Sequence, residues 1–208
     1  MGQESSDDAL VARACEGDRS AFRLLVERHL PAVHRILSRA VGDPETAADL
    51  AQETFLRAWQ RMHRYEPQGR YRGWIIRIAL NLLRSHLRRE KLRRLLLLRG
   101  RENLPPALTG LGTDAGPDAL AAVRDARRML AQLLATLPPR YREPFLLKHL
   151  EELTYEEISE ILGVSRGALK VRVHRARERL AAEARRLGLK PLLDSTRSMD
   201  GDRRADEH

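Results

Sequence analysis

The chain has 208 residues, a formal net charge of +9 and a hydrophobic content of 42%. This hydrophobic content is too high for a chain that is disordered throughout, and the length suits one medium domain or two small ones. The excess of positive charge favours a polyanionic partner. Residues 1–56 nevertheless have a net charge of −4, so the basic residues are concentrated in the rest of the chain, which carries +13.

The chain has one cysteine, Cys15, which excludes an internal disulfide and a cysteine-based zinc site. We expect Cys15 to be a small residue of the core. No apolar run approaches the ~20 residues that span a bilayer, so no membrane insertion is expected. The first eight residues lack the basic and apolar regions of a secretion signal, and we therefore expect a cytoplasmic protein.

Every segment with a clear hydrophobic period predicts a helix, and no strand or hairpin pattern is present. The first half of the chain predicts four helices, over about 7–16, over about 18–40, from Pro44 onward and over about 72–92. Asp43 is the expected N-cap of the third helix, with Pro44 at its first position. Pro31 is expected to kink the second helix. A polar loop over 65–70 precedes the fourth helix.

A change of composition separates the two halves of the chain. Residues 99–118 contain four glycines and three prolines without periodicity, which predicts a flexible linker. Helices resume near Asp118 and continue to about Leu187. The sequence therefore predicts an all-α fold with two small helical domains joined by a flexible linker. We assign 5–96 to the first domain, 97–118 to the linker, 119–187 to the second domain and 188–208 to a disordered tail.

The segment from Thr154 to Leu180 predicts a helix-turn-helix. Thr154 and Glu157 have the spacing of a capping box at the start of a helix. Gly163 supplies the left-handed residue that ends this helix, and Ser165 is the expected N-cap of the next. Two short capped helices joined by a tight turn that contains glycine are typical of this motif.

The second helix of the motif is strongly basic outside its apolar stripe, which is Leu169, Val173, Ala176 and Leu180. A solvated helix face without a partner usually mixes charge signs, but here six cations oppose a single acid, Glu178. We therefore expect this helix to bind the major groove of DNA, where its N-terminal residues face base edges and its distal cations clamp phosphates. The expected DNA-binding residues are Ser165, Arg166, Gly167, Lys170, Arg172, His174, Arg175 and Arg177.

The end of the first domain combines aromatic residues with a basic track. Five of the nine aromatic residues of the chain lie between Phe55 and Trp74, and eight Arg or Lys residues lie between Arg72 and Arg94. Aromatic rings beside cations suit unpaired bases, which stack on the rings while the cations hold the backbone. We expect Phe55, Trp59 and Trp74 to belong mainly to the core, and Tyr65 and Tyr71 to be exposed for contact.

Two blocks of the sequence resemble a known family. DLAQETFLRAW (Asp49–Trp59) and GRYRGWIIRIALNLLRSHLRR (Gly69–Arg89) resemble region 2 of bacterial sigma factors of the extracytoplasmic-function (ECF) group. The block from Leu137 to Leu180 resembles region 4 of the same factors. The two blocks follow in the order of the family with a linker between them, and the resemblance covers roughly residues 7–187.

The resemblance implies a sigma factor that directs promoter-specific transcription initiation with core RNA polymerase. It implies that region 4 reads the −35 element as duplex and that region 2 reads the −10 element as a melted single strand, at a cost of a few kcal/mol per flipped base. The implied −10 contacts are Tyr65, Tyr71, Arg72, Asn81, Arg84 and Arg88. The implied polymerase contacts are Asp49, Gln52, Glu53, Leu56, Arg57 and Trp59. An anti-sigma factor acting between the two domains is a further expected partner.

Three positions depart from the usual pattern of the family. Ser85 stands where an Asp often follows the Asn of the fourth helix by four positions. Ala168 and Val171 stand where the recognition helix often has hydroxyl side chains, which suggests a distinct −35 preference. Pro144 lies within the helix expected before the helix-turn-helix and should bend that helix or delay its start.

Two alternatives remain open at this stage. A helix-turn-helix regulator that acts without core polymerase would bind duplex DNA tightly on its own. An enzyme with a DNA-binding appendage would need a catalytic motif, and the sequence contains no phosphate loop, HExxH or triad pattern. We expect neither enzymatic activity nor a metal or other cofactor.

Overall fold

The computed structural model describes residues 6–99 and 119–188, and these residues form eight α-helices without a β-strand among them. The predicted all-α fold is therefore confirmed. The linker was predicted from residue 97, but the fourth helix continues through residue 99, so the first three residues of the predicted linker are helical. The rest of the predicted linker, 100–118, and the predicted tail from residue 189 lie outside the described residues. The helices are α1 (Asp7–Cys15), α2 (Arg19–Val41), α3 (Pro44–Arg61), α4 (Tyr71–Arg99), α5 (Ala119–Thr136), α6 (Pro139–Leu150), α7 (Tyr155–Leu162) and α8 (Arg166–Arg186), and a 3₁₀ turn, Met62–Arg64, follows α3.

Side-chain caps begin each of the first three helices. The side chain of Ser6 accepts a hydrogen bond from Ala9 N, and that of Asp43 accepts one from Thr46 N at 2.8 Å. Asp18 accepts hydrogen bonds from Ser20 and from Arg13, and these bonds hold the pKa of its carboxyl well below the usual range. A cap of this kind stabilises a helix by about 1 kcal/mol. The predicted start at Asp43-Pro44 is confirmed.

The contacts divide the chain into two compact units, with the division after Ala131, inside α5. In the first unit, α2 packs against α1, α3 and α4, and its inward face is fully buried at Leu25, Ile36 and Leu37. Helix α2 continues through Pro31. Cys15 is exposed, so its expected place in the core is wrong: the buried face of α1 is made by Leu10, Val11 and Ala14, and Cys15 lies outside it.

The second unit is built around α6, α7 and α8, which pack against one another. Helix α6 begins at Pro139 and contains Pro144, so Pro144 does not delay the start of the helix as expected. The first turn of a helix needs no amide donor, which suits Pro139 to this position. The core of the unit includes Leu134, Leu146, Leu147, Ile158 and Leu169.

Candidate nucleic-acid interface

The helix-turn-helix begins with the predicted capping box. Glu157 N donates to Thr154 Oγ1 at 3.2 Å, and Thr154 N donates to Glu157 Oε2 at 2.8 Å. Gly163 ends α7 with a φ of 66°, which a glycine adopts without strain. Leu153, which precedes the cap, and Ile158, in the first turn of α7, are both buried. A capping box and a left-handed glycine therefore define the two ends of α7.

Helix α8 separates a buried face from a wide exposed one. The predicted inward stripe is confirmed, since Leu169, Val173, Ala176 and Leu180 are all buried. The periodicity of the helix puts Gly167, Val171 and His174 on the opposite side. Gly167 has open space where a side chain would extend, and Val171 is 51% exposed. A DNA base edge can therefore approach the backbone of α8 closely at this point.

The first turn of α8 presents polar groups from both helices of the motif. Ser165 occupies the N-cap position, but its side chain makes no capping hydrogen bond, contrary to the prediction that it caps α8. Ser165 is exposed. Arg166 pairs with Glu156 of α7, and Lys170 Nζ lies 5.8 Å from the centre of the Tyr155 ring. More than half of each side chain in the Arg166–Glu156 pair is exposed.

Further along α8, several cations are oriented by α6. The Nε of Arg177 lies 3.3 Å from His149 Nε2, and the guanidinium of Arg179 lies 5.0 Å from the centre of the Tyr141 ring. A hydrogen bond with Arg175 lowers the pKa of Tyr141. Arg172 and Arg177 are half-buried, whereas Arg175 is exposed. Among the expected phosphate-binding residues, Arg177 thus also has a packing role.

The expected exposure of Tyr65 and Tyr71 is wrong. Tyr65 is 8% exposed and Tyr71 is fully buried, and their rings pack on each other with centroids 5.5 Å apart. The ring of Tyr71 also lies 5.2 Å from His29 and 5.5 Å from Trp74. The two tyrosines are buried at the two ends of the loop, and residues 66–70 between them are exposed. Their buried rings support the loop and are not available to contact bases.

A polar strip runs along one face of α4. The spacing of Arg77, Asn81, Arg84 and Arg88 puts these residues on one side of the helix, opposite the buried Ile75, Ile76 and Leu83. The guanidinium of Arg84 donates to Asn81 Oδ1 at 2.8 Å, and the hydroxyl of Ser85 donates to the Asn81 carbonyl at 3.0 Å. Arg84 thus orients the Asn81 side chain. Arg77 was absent from the expected −10 contacts, although its spacing alone assigns it to this face.

Arg72 does not belong to the polar strip of α4. It lies at the start of the helix on another face, near enough to His29 for its charge to lower the pKa of that imidazole. Burial is the main cause of the lowered pKa of His29, and Asp7 opposes it. Arg72 is therefore separated from Asn81, Arg84 and Arg88, with which the sequence grouped it as −10 contacts.

An apolar groove of about 860 Å³ lies between α2 and α3. Leu30 and Leu56 stand on its two sides and are 40% and 50% exposed. Trp59, 39% exposed, packs its ring against Phe22 with centroids 4.9 Å apart. The residues that line the groove are Arg19, Phe22, Val26, Leu30, Pro31, His34, Ala48, Ala51, Gln52, Phe55, Leu56 and Trp59.

The six expected polymerase contacts fall into two groups. Gln52, Leu56 and Trp59 line the groove, and the prediction that Trp59 belongs mainly to the core is only partly correct. Asp49, Glu53 and Arg57 are not among the lining residues: they follow one another along the adjacent side of α3, where Arg57 Nε donates to Glu53 Oε1 at 2.6 Å. The sequence did not point to the α2 side of the groove, which includes Phe22 and Leu30.

Two family models match this chain over the two units just described. The model described as sigma-70 region 2 matches residues 25–93, and the model described as sigma-70 region 4 matches residues 127–180. Together they cover more than half of the chain. The first match includes the polar strip of α4 and the groove residues from Val26 onward, and the second includes the helix-turn-helix.

Curated relatives match nearly the whole length of the chain. The RNA polymerase sigma factor CnrH of Cupriavidus metallidurans is 33% identical over 186 residues, which are 88% of this chain and 96% of CnrH. The ECF RNA polymerase sigma factor SigW of Bacillus subtilis is 30% identical over 85% of this chain and 96% of SigW. The chain belongs to the ECF group of the sigma-70 family.

Solved structures agree with this assignment. CnrH in complex with the cytosolic domain of CnrY has a TM-score of 0.61 at 30% identity and covers 86% of this sigma factor and 96% of the CnrH chain. The sigma factor RpoE of Bartonella quintana, solved with the anti-sigma factor NepR, has the same fold at 24% identity, with a TM-score of 0.54 over 77% of this chain and 94% of RpoE.

This sigma factor directs promoter-specific transcription initiation by RNA polymerase, with the −10 element read as single strand and the −35 element as duplex. The members of the family are sigma factors and not catalytic enzymes. Across residues 6–99 and 119–188, no helix combines the length and apolar character that crossing a bilayer requires.

Proposed function

We propose that this sigma factor divides its work among three surfaces: the exposed face of α8, the polar strip of α4 with the 66–70 loop, and the groove between α2 and α3. The observation that carries this proposal is that the three surfaces are distinct in chemistry. The face of α8 is basic, the strip pairs an amide with arginines, and the groove is apolar. Basic side chains suit the phosphates of duplex DNA, an amide beside cations suits the edge of a flipped base, and an apolar groove suits an amphipathic helix.

For the −35 element, Ser165, Arg166, Gly167 and Lys170 face base edges in the major groove. Arginine and lysine bind guanine O6 and N7, and the bare backbone at Gly167 allows close approach. Arg172, His174, Arg175 and Arg177 hold phosphates and the register of the helix on the duplex. Val171, exposed beside Gly167, offers an apolar contact that suits the methyl group of thymine.

For the −10 element, the polar strip of α4 and the 66–70 loop hold the melted strand. Asn81, oriented by Arg84, supplies an amide that suits the exposed edge of a flipped base, while Arg77 and Arg88 lie along the path of the backbone. Arg72 contributes charge at the start of α4. The loop residues Glu66, Gln68 and Arg70 are exposed and polar, and they lie next to the first turn of α4.

For core polymerase, Gln52, Leu56 and Trp59 contact a helix of the enzyme that lies in the groove. Half-exposed Leu and Trp side chains at the two walls of a groove are typical anchors for an amphipathic helix. Asp49, Glu53 and Arg57 form the charged rim beside these anchors. The net charge of −4 in residues 1–56 favours a basic partner surface at this end of the molecule.

We further propose a cytoplasmic protein without catalytic activity that binds an anti-sigma factor. The support for an anti-sigma partner is that a sigma factor of the same fold was solved with one.

In vitro transcription tests the roles proposed for the three surfaces. Core RNA polymerase is mixed with the full chain and a promoter library randomised at the −10 and −35 elements, and the transcripts are sequenced. We expect core-dependent transcripts with two enriched blocks, of which the upstream block changes with Arg166→Ala and the downstream block with Asn81→Ala. Binding of the chain alone to duplex promoters without any core-dependent transcript would favour the regulator that acts without polymerase.

A further inference from the structure

The 65–70 loop is tied to α1 through a single carboxylate. Tyr65 Oη donates to Asp8 Oδ1 at 2.6 Å, and Gly69 N donates to Asp8 Oδ2 at 2.7 Å. Arg70 N in turn donates to Tyr65 Oη at 3.1 Å. The two ends of the loop are therefore joined through Asp8, which lies 57 and 61 positions away from them in the sequence. We call the hydrogen bonds of Tyr65 and Gly69 to Asp8 the Asp8 latch.

The neighbouring residue, Asp7, anchors α1 to α2 by separate contacts. His29 Nε2 lies 2.7 Å from Asp7 Oδ2, and Arg28 donates to Asp7 Oδ1 at 3.1 Å. Leu10 and Val11 bury the rest of α1 against the unit. Helix α1 consequently keeps its position without help from the loop, whereas the loop depends on α1 for its shape.

The surroundings of Tyr65 and Gly69 strengthen the two hydrogen bonds of the Asp8 latch. The Tyr65 ring is almost fully buried, and burial together with the hydrogen bond to Asp8 raises the pKa of Tyr65 to about 12. A phenol that stays protonated remains a donor to the carboxylate throughout the neutral range. Gly69 has a φ of 68°, a conformation that favours glycine and directs its amide at Asp8. Hydrogen bonds to a charged acceptor in a partly buried site are stronger than those between neutral groups.

We propose that Asp8 is a positioning residue for −10 recognition, which acts by holding residues 66–70 in one conformation before promoter DNA arrives. This inference rests on the proposed role of the loop in reading the −10 strand. A loop that is ordered in advance spares the complex the entropy cost of ordering it, so the flipped bases find their contacts already formed. Asp8 does not itself touch DNA, and its effect passes through Tyr65 and Gly69.

The chain offers a matched pair of variants for this proposal. Tyr65→Phe and Tyr71→Phe remove the same atom from two neighbouring buried rings. The hydroxyl of Tyr65 is bonded to Asp8, while the hydroxyl of Tyr71 is buried and has no hydrogen-bond partner among the described residues. Only the first substitution breaks the latch. Asp8→Ala removes both acceptors, Asp8→Asn keeps one oxygen, and Glu16→Gln removes an exposed acid just beyond the end of α1 as a charge control.

Binding of reconstituted holoenzyme to a single-stranded oligonucleotide tests the latch. The oligonucleotide carries the −10 sequence that the wild-type protein selects from the promoter library. We expect Asp8→Ala and Tyr65→Phe to weaken its binding about tenfold, which corresponds to about 1.4 kcal/mol, with Asp8→Asn in between. Tyr71→Phe and Glu16→Gln should bind like wild type. Affinity for core polymerase and for duplex −35 DNA should be unchanged in all five variants.

A spectroscopic measurement on the free protein reports the loop directly. The chain has two tryptophans, so Trp59→Phe leaves Trp74, whose ring lies 5.5 Å from that of Tyr65. In this background, Asp8→Ala and Tyr65→Phe should increase quenching of Trp74 by acrylamide, and Tyr71→Phe should not. Equal losses in Tyr65→Phe and Tyr71→Phe, or losses of core affinity that match those for the −10 strand, would overturn the inference. A wild-type protein that selects no −10 sequence would instead overturn the proposed function, and this inference with it.

Discussion

Truncation of Leu56 tests the proposed polymerase groove without disturbing the fold. Leu56 stands on the α3 side of the groove and is 50% exposed, so the free protein depends little on the outer half of its side chain. Leu30 stands on the α2 side and is 40% exposed. Leu24 is also 40% exposed and lies on α2, but it does not line the groove. Leu24→Ala is therefore a matched control for Leu30→Ala and Leu56→Ala.

The exposed fraction sets the size of the expected effect. Full burial of a leucine side chain stabilises by about 1.5–3 kcal/mol, so burial of the exposed 50% of Leu56 on docking contributes about 0.8–1.5 kcal/mol. This range corresponds to a loss of about 4–12-fold in affinity for core polymerase in Leu56→Ala. Leu30→Ala should cost slightly less because less of its surface remains to be buried. Leu24→Ala should change the affinity less than twofold.

The assay is a titration of labelled sigma factor with core polymerase, combined with thermal unfolding of the free variants. We expect the three leucine variants to unfold within a few degrees of wild type, while only those in the groove lose affinity. A loss in Leu24→Ala as large as that in Leu56→Ala would refute the reasoning, because exposure and not the groove would then decide the effect. Unchanged affinity in both groove variants would place the polymerase elsewhere.

Three further predictions concern the DNA-binding helix, the helix before it and pH. Arg166→Ala should lower −35 discrimination at one base position by about 1–3 kcal/mol, whereas Arg175→Ala should lower the affinity for all duplexes alike. Binding to a panel of single-base −35 variants separates the two effects. Equal losses that do not depend on sequence would contradict the proposed docking of α8 in the major groove. Thr154→Ala should lower the free energy of unfolding of the free protein by about 1 kcal/mol, measured by denaturant titration, and an unchanged midpoint would mean that the capping box does not stabilise the motif. Burial lowers the pKa of His29 below its unfolded value. The stabilisation by neutral His29 is therefore complete above about pH 6.5 and is lost as the pH falls through the folded pKa. The melting temperature of the free protein should fall from pH 7.5 to 5.5, and it should fall less in His29→Gln.

Local signals in the sequence determined the helices and the DNA-binding motif. The caps at Asp43 and Thr154 and the left-handed end at Gly163 depend on partners within four positions along the chain. The inward stripe of α8 depends only on helical periodicity. Such features need no knowledge of the tertiary structure, and the sequence predicted them correctly.

The tertiary structure decided which candidate residues are accessible. The sequence around a tyrosine beside a polar loop does not distinguish an exposed ring from a buried one. Only the packing of α1, α2 and α4 buries Tyr65 and Tyr71. The groove likewise needs the α2 side supplied by Leu30 and Phe22, whose periodicity in sequence matches that of ordinary core residues.

The Asp8 latch shows the limit of local patterns most directly. Asp8 reads as an acid in the first turn of a helix, where any carboxylate favours the helix dipole. Its partners Tyr65 and Gly69 are more than fifty positions away, and no periodicity or cap connects them. Sequence determined the elements because their interactions are short-range, while the structure determined the assignment of roles because burial and long-range hydrogen bonds arise only when the helices pack.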